Sequence, residues 1–295
     1  MAKILILGST GRLGAALMRE YRETHALAGL SHAQIDLADL DEIEQMLLPR
    51  QFDVLINCAA QTNVDVCEEQ PDDAFRINGD APGLLAEICR DKDAKMIHFS
   101  TDYVFDGEKS EPYKEDDETR PISIYGESKR EGEKSVMDTD DRHLVVRVSW
   151  VFGPDRPSFI DAIIQRARQN GEVAAIADKF STPTYTLDIA KMLARFIEDG
   201  PEVEDGLLHF ASSGQCSWQE YAQQGLDCCA KLGVPLKAET VGPLELASMK
   251  SFIASRPAYT VLSTARYTQL VGEPPRDWRD ALAEYVQTHI ARSGV

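Results

Sequence analysis

The chain has 295 residues, 43% of them hydrophobic and 27% charged, a soluble globular balance that excludes a disordered or membrane-spanning protein. Its formal net charge of -18, from 49 acidic against 31 basic residues, excludes the basic stripe that a nucleic-acid partner needs. This length sits at the upper limit of a single core, so one large domain, or one plus a small lobe, is predicted.

The acidity serves solubility. It also opposes long-range attraction of an anionic substrate, although salt screens that beyond about 8–10 Å. Such a substrate needs arginines or helix N-termini inside its own cleft. Six cysteines, Cys58, Cys67, Cys89, Cys216, Cys228 and Cys229, form no Cys-x-x-Cys pair and no zinc-site spacing with histidine. With no leader pattern, a reducing, cytoplasmic setting is expected.

In chain order, Lys3–Leu7 is an aliphatic run too short for a signal peptide and reads as a buried strand. Leu13–Glu23 places Leu13, Ala16, Leu17 and Tyr21 at helical spacing. Ala26–Leu30 is a weak second strand, and Leu40–Leu48 alternates apolar and acidic residues as a helix does. Val54–Ala60 is a third strand. Pro71–Arg90 is a long helix with proline in its first turn. Lys95–Ser100 is a fourth strand, Tyr125–Val136 a Glu- and Lys-rich helix, and Leu144–Phe152 a fifth strand. Strands alternating with helices predict an α/β fold, a doubly wound, Rossmann-type parallel sheet with helices on both faces.

Asp106–Ile122 is charged, holds Pro112 and Pro121 and lacks periodicity, so it reads as a loop beside the cleft, a candidate lid. After residue 153 proline-rich pieces separate short elements. Residues 1–153 are therefore expected to form the main sheet domain, the one that the glycine loop described next makes dinucleotide-binding. Residues 154–295 are expected to form mainly a smaller, irregular substrate lobe, with some segments returning to the sheet.

Gly8-Ser9-Thr10-Gly11-Arg12-Leu13-Gly14 lies between a strand and a helix. In Gly-x-x-Gly-x-x-Gly the first glycine permits a tight turn, the second lets backbone approach a pyrophosphate, and the third lets helix pack on sheet. The helix N-terminus then offers free N–H groups to phosphate. The acid that commonly closes the second strand on an NAD ribose is missing from Gly29-Leu30-Ser31-His32. Arg12 is placed to meet a 2′-phosphate, which tilts the cofactor from NADH towards NADPH. Asp36 and Leu37 border the adenine in this reading, or Asp36 caps the next helix.

Tyr125 and Lys129 form Tyr-x-x-x-Lys, one helical turn apart on one face. Reducing a ketone needs a hydride on carbon and a proton on oxygen. A free phenol has a pKa of about 10, and a nearby ammonium favours its anion, so the pair suits general acid–base work. Thr101 ends the fourth strand, where a hydroxyl faces the cleft of a doubly wound sheet and can bond the substrate oxygen.

These residues stand in family order with Asn57-Cys58-Ala59-Ala60-Gln61-Thr62, Ser100-Thr101-Asp102-Tyr103-Val104-Phe105, Tyr125-Gly126-Glu127-Ser128-Lys129 and Arg147-Val148-Ser149-Trp150-Val151-Phe152-Gly153. The chain resembles the dTDP-4-dehydrorhamnose reductases, within the extended short-chain dehydrogenase/reductase superfamily. The likeness continues through Ser181-Thr182-Pro183-Thr184, Gly206-Leu207-Leu208-His209-Phe210 and Ser255-Arg256-Pro257.

The resemblance implies NADPH- or NADH-dependent reduction of the 4-keto group of dTDP-6-deoxy-L-lyxo-4-hexulose, giving dTDP-L-rhamnose. It makes Thr101, Tyr125 and Lys129 the catalytic residues. Gly8, Thr10, Gly11, Arg12, Leu13, Gly14, Asp36, Leu37, Ala59 and Ala60 then hold the cofactor, together with Tyr125 and Lys129. Thr62, Tyr103 and Trp150 line the sugar pocket. Arg256 lies near the nucleotide phosphates, or else makes a surface salt bridge. Asn78 matches an asparagine of the active-site helix, or is an ordinary polar residue. Some relatives carry a glutamate on the first helix for magnesium at a dimer interface. Here that region reads Ala15-Ala16, so no metal site is expected. The partner is a nucleotide sugar, with no nucleic acid and no membrane, and a homodimer stays open.

Two rivals remain at this point, another sugar-nucleotide enzyme of the same superfamily and a non-catalytic binding module. An epimerase uses the same tyrosine and lysine but retains its cofactor through each cycle. A dehydratase resembles Thr-Asp-Glu after the fourth strand, where this chain has Thr101-Asp102-Tyr103. The regulatory subunit of methionine adenosyltransferase also resembles this family without being an enzyme, and Trp150 with the intact Thr101, Tyr125 and Lys129 set argues against it.

Overall fold

The structure, a computed structural model, describes residues 1–197 and 201–291. Its centre is a six-stranded parallel sheet. Lys3–Leu7 (β1), Ala26–Leu30 (β2), Val54–Asn57 (β3), Lys95–Thr101 (β4) and Leu144–Val148 (β5) supply five strands. Leu207–His209 supplies the sixth, beside β5. The spatial order is Leu207–His209, β5, β4, β3, β1, β2.

The central strands read as unbroken apolar runs because both faces of the sheet are covered. Successive residues of β1 serve opposite faces, as a period of two requires. Ile4 and Ile6 join the helices Arg12–Tyr21 (α1) and Thr186–Ile197 through Leu17, Ile189 and Leu193. Leu5 and Leu7 pack on the other side with Ile43, Leu85 and Ala86, carried by the helices Leu40–Leu47 and Ala81–Asp91. Strand order reverses around β1, which pairs with both β2 and β3. A cleft forms outside the carboxyl ends of strands at such a reversal.

A second core lies in the later half of the chain. Trp278, Tyr221, Tyr185, Phe152 and Ile164 pack there between the helices Phe159–Gln169, Trp218–Lys231 and Trp278–Tyr285. The chain after residue 153 does not stay in this lobe. Thr186–Ile197 returns to cover the sheet, and Leu207–His209 extends it.

Several elements differ from the sequence reading for identifiable reasons. The third strand stops at Asn57, whose side-chain oxygen accepts from the Ala59 N–H and turns the chain outwards. The fifth strand breaks after Val148, because Trp150 takes a left-handed φ of 39°. Val151–Phe152 then pairs with Thr184–Tyr185 instead. The long helix from Pro71 is continuous to Asp91 but contains a π turn at Arg76–Asp80.

The segment 106–122 is fastened to the fold through Tyr113. Tyr113 is buried, exchanges backbone hydrogen bonds with Val261 and Ser263, and donates its hydroxyl to Asp106 at 2.7 Å. None of its residues lines the cleft. A proline-rich polar composition signals irregular backbone, and the buried tyrosine fastens that backbone in place.

Candidate active site

The cleft measures about 680 Å³ and opens where the sheet order reverses. The glycine loop forms one end. Gly8 has φ +70°, a conformation L side chains rarely adopt. A Cβ at Gly14 would sit 2.2 Å from the Gly8 carbonyl oxygen, so only glycine lets α1 seat against the loop. Gly11 is the N-cap of α1, and no side chain caps that end. The first intrahelical bond runs from Ala15 N–H to Gly11 at 2.9 Å, so the N–H groups of Arg12, Leu13 and Gly14 have no earlier carbonyl within the helix to use. Backbone of this shape, with uncapped donors and a positive helix end, fits a pyrophosphate.

Gly8, Thr10, Gly11, Arg12, Leu13, Asp36, Leu37, Ala59 and Ala60 all line the cleft, as do Thr62, Tyr103 and Trp150. Thr101, Tyr125 and Lys129 line the same space. The structure therefore brings the glycine loop and the three reactive side chains to one cavity. Asp36 is not a helix cap; Asp39 accepts from Glu42 N–H and caps the following helix, while Asp36 accepts from Ala38 N–H.

Tyr125 and Lys129 ride on the helix Ile124–Met137, which Ser123 caps by accepting from Gly126 N–H. Gly126 and Gly132 allow that helix to approach its neighbours: a Cβ there would lie 2.2 Å from the Tyr103 carbonyl oxygen and 2.1 Å from that of Asn78. Burial pushes the Tyr125 phenol above its ordinary value, and its hydrogen bond with the Thr101 hydroxyl pulls the other way. The phenol is thus a neutral acid at physiological pH. Lys129 is buried, donates to the Phe99 carbonyl at 2.8 Å, and sits 3.1 Å from His98 Nε2. Burial lowers its pKa to about 8, and Glu133 opposes that shift. Burial is the largest influence on the phenol.

Arg12, Arg256 and Asn78 make other contacts than the ligand roles offered for them, and for Arg256 the salt-bridge alternative holds. The Arg12 side chain does not reach towards a 2′-phosphate: it donates to the carbonyls of Pro157 at 2.6 Å and Arg156 at 3.4 Å. Arg156 in turn donates to the Thr10 carbonyl at 2.9 Å, so the two arginines clasp the glycine loop to the second lobe. Arg256 does not line the cleft. Its guanidinium is bidentate to Asp65 at 2.7 and 2.8 Å and lies 4.1 Å from the Phe252 ring centroid. That ion pair draws the Asp65 carboxyl down to about 2. Asn78 is buried in the π turn and does not touch the cleft; its amide accepts from Gln61 N–H and donates to Gln61 O and Ser128 Oγ. It thereby ties the Gln61-Thr62 wall to the helix of Tyr125.

Sequence reasoning missed the polar network behind the reactive groups. Asp102 is buried, and its carboxylate accepts from Thr101 at 3.1 Å, Ser149 at 2.8 Å, Ser181 at 3.0 Å and Thr260 at 2.6 Å. Lys179, also buried, donates to the Pro257 carbonyl and stands 4.9 Å from the Tyr103 ring centroid. Arg156 lines the cleft beside the glycine loop. Ser-Thr-Asp at a strand end signals polarity, but its partners come from residues up to 158 positions away. Among the described residues no group of three His, Cys, Asp or Glu is arranged to hold a metal, and no helix is long and apolar enough to cross a membrane.

Residues 2–290 match the family described as RmlD substrate binding domain. The chain is 37% identical over 287 residues to the dTDP-4-dehydrorhamnose reductase of Mycolicibacterium smegmatis, covering 96% of this chain and 85% of that protein. It is 35% identical to a probable dTDP-4,6-dihydroxy-2-methyloxan-3-one 4-ketoreductase of Streptomyces antibioticus, covering 95% and 93%. The crystal structure of dTDP-4-dehydrorhamnose reductase from Bacillus anthracis in complex with NADP superposes with a TM-score of 0.86 at 28% identity, covering 97% of this chain and 98% of that one.

Proposed function

This chain belongs to the dTDP-4-dehydrorhamnose reductase family, and from that premise we propose that it reduces the 4-keto group of a dTDP-linked deoxysugar. The observation that carries the reading is a single cleft lined by the glycine loop, by Thr101, Tyr125 and Lys129, and by Trp150. A nicotinamide dinucleotide, when bound, supplies the hydride. The loop Gly8–Gly14 and the α1 N-terminus hold its pyrophosphate, with Asp36 and Leu37 beside the adenine and Ala59 and Ala60 along the chain of the cofactor.

In this reading the neutral Tyr125 phenol gives its proton to the sugar oxygen as that oxygen gains charge. Thr101 orients the oxygen by hydrogen bonding. Lys129 reaches the nicotinamide ribose from one turn further along the helix. Thr62, Tyr103 and Trp150 pack against the sugar, and dTDP-4-dehydro-L-rhamnose is the leading substrate. Residues 1–153 serve the dinucleotide and 154–295 mainly the sugar nucleotide. NADPH stays ahead of NADH because Leu30-Ser31-His32 puts no acid against a 2′-phosphate, not because of Arg12. All six cysteines are free, which supports a reducing cytoplasm as the setting.

The test follows the nicotinamide absorbance with each cofactor and a panel of dTDP-linked 4-keto sugars, with product analysis. One NAD(P)H consumed per sugar reduced supports the reading. Conversion of the sugar without net consumption of NAD(P)H overturns it in favour of an epimerase.

A further inference from the structure

Besides histidine, the basic side chains that line the cleft are Arg12, Lys129 and Arg156. A chain of net charge -18 does not draw anions from a distance, so a bound diphosphate relies on cations inside the cleft. Arg12 and Lys129 are committed to the protein. Arg12 turns to the carbonyls of Arg156 and Pro157, and Lys129 donates to the Phe99 carbonyl beside His98. Arg156 gives only its Nε, to the Thr10 carbonyl at 2.9 Å. Among the described residues no carbonyl or carboxylate takes its Nη1 or Nη2.

The bond to Thr10 sets this guanidinium against the glycine loop, one residue before Gly11, the uncapped N-cap of α1. The turn that carries Arg156 is held from several sides. Asp155 pairs with Arg19 of α1. The Ser158 N–H donates to Asp161 at 2.7 Å where the helix Phe159–Gln169 begins. Gly153 packs so closely on Thr186 that a Cβ would lie 2.1 Å from its hydroxyl oxygen. The arginine therefore starts from a fixed backbone, and ordering it on a ligand costs little.

We propose that Arg156 binds the pyrophosphate of the dinucleotide, so that the second lobe completes the cradle formed by the loop Gly8–Gly14 and the α1 N-terminus. An arginine is a planar fork, and with Nε anchored on backbone its remaining N–H groups point in a set direction, which suits a pair of phosphate oxygens. Thr10 belongs to the loop itself, whereas Asp36 and Leu37 mark the adenine end of the cleft and Thr62 and Trp150 the sugar end. That placement favours the pyrophosphate over a 2′-phosphate or the diphosphate of the sugar nucleotide. The dinucleotide site then extends past residue 153. The role rests on the reading of this cleft as a nicotinamide dinucleotide site.

Two substitutions separate phosphate binding from the fastening of the loop. In Arg156→Gln the amide nitrogen falls where Nε stood and keeps the bond to Thr10, while the charged fork is lost. Arg156→Met loses both. Dissociation constants of NADH and NADPH are measured by fluorescence in the full-length protein without sugar substrate, and those of ADP-ribose and dTDP by competition and calorimetry. Both variants should bind NADH, NADPH and ADP-ribose about tenfold more weakly than the parent, with dTDP unchanged. The gap between the parent and Arg156→Gln should narrow as salt is raised. Parent-like affinity in Arg156→Gln, whether or not Arg156→Met is weakened, makes Arg156 a fastener of the loop and overturns the proposal. A loss confined to NADPH, or to dTDP, places the guanidinium at a different phosphate and overturns it too. A parent protein that binds no nicotinamide dinucleotide refutes the reading of the cleft and this proposal with it. One that binds the dinucleotide but reduces no keto sugar refutes only the reaction and leaves the role of Arg156 standing.

Discussion

Glu133 and Arg147 form a bidentate ion pair, 2.8 and 2.7 Å, with both side chains almost wholly buried beneath the helix that carries Tyr125 and Lys129. Arg147 belongs to β5, so the pair fastens the reactive helix to the sheet. The guanidinium also donates to His209 Nε2 at 3.2 Å and lies 5.2 Å from the Phe105 ring centroid. Removing one partner leaves the other charge buried and unpaired, which costs about 3–5 kcal/mol. Glu133→Ala should lose that much in denaturant unfolding. Glu133→Leu combined with Arg147→Met should recover most of it, because two apolar groups of similar volume leave no orphan charge. A double variant as unstable as the single one would show that the pair contributes more than mutual neutralisation.

Tyr125→Phe removes the proton donor while keeping the ring that meets Tyr103 edge-on at 5.7 Å between centroids. Turnover should fall by about 10²–10⁴-fold, the usual worth of a positioned general acid. Cofactor affinity, read by fluorescence titration, should change little, since the pyrophosphate cradle lies in the glycine loop. Near-full turnover in this variant would remove the phenol from the mechanism.

Asp102 couples Thr101 to the second lobe through Ser181 and Thr260. Asp102→Asn turns one acceptor oxygen into a donor facing hydroxyl groups that all donated to it. Hydrogen bonds to a charged group contribute about 1.5–3 kcal/mol each, and hydroxyl rotation recovers part of the loss, so a net drop of about 2–3 kcal/mol is expected in thermal unfolding. With Thr101 no longer oriented, kcat should fall more than KM rises. A variant with a lowered Tm but unchanged kcat would confine Asp102 to holding the lobes together.

The strand and helix order was legible because parallel strands buried on both faces must be apolar throughout, as in Val54-Leu55-Ile56, and the glycine loop sits where such a strand meets a helix. Tyr125 and Lys129 were legible through helical spacing. What spacing does not carry is the direction of long side chains. Arg12 was expected at the cofactor phosphate but finds carbonyl groups of the Arg156-Pro157 turn, which lies 144 residues away in sequence. Arg256 was expected near phosphates or in a salt bridge, and it takes the salt bridge, with Asp65, 191 residues away. The break at Trp150 was hidden because its left-handed φ falls on a bulky aromatic residue, where no glycine or asparagine marks the turn. Its neighbours keep the apolar character of the strand.

Three buried histidines predict a loss of stability on mild acidification. His98, His143 and His209 each use both ring nitrogens in the neutral form. His143 Nδ1 accepts from Met96 N–H and its Nε2 donates to the Ala86 carbonyl. His209 Nε2 accepts from Arg147 and its Nδ1 donates to the Tyr113 carbonyl. Burial lowers all three pKa values, strongly for His98 and His209. The unfolded chain therefore binds more protons than the folded one below the free imidazole value of about 6.5, and stability is fully present above that pH and falls beneath it. Each histidine contributes up to about 1.4 kcal/mol per pH unit, so the three together approach 4 kcal/mol per unit. Glu115 and Asp188, raised by burial, run in the opposite sense, because the folded state holds their protons to a higher pH. Asp65 and Asp140, held down to about 2 by arginine partners, lose their contribution only below the carboxylate value of 3.8. The window from pH 6.5 to 5 thus belongs mainly to the histidines. Urea midpoints measured across it should fall steeply with acid, and His143→Gln should flatten the slope by up to about a third if the imidazole is one of three equal contributors. A flat profile between pH 7 and 5 would mean that these imidazoles titrate normally within the folded chain.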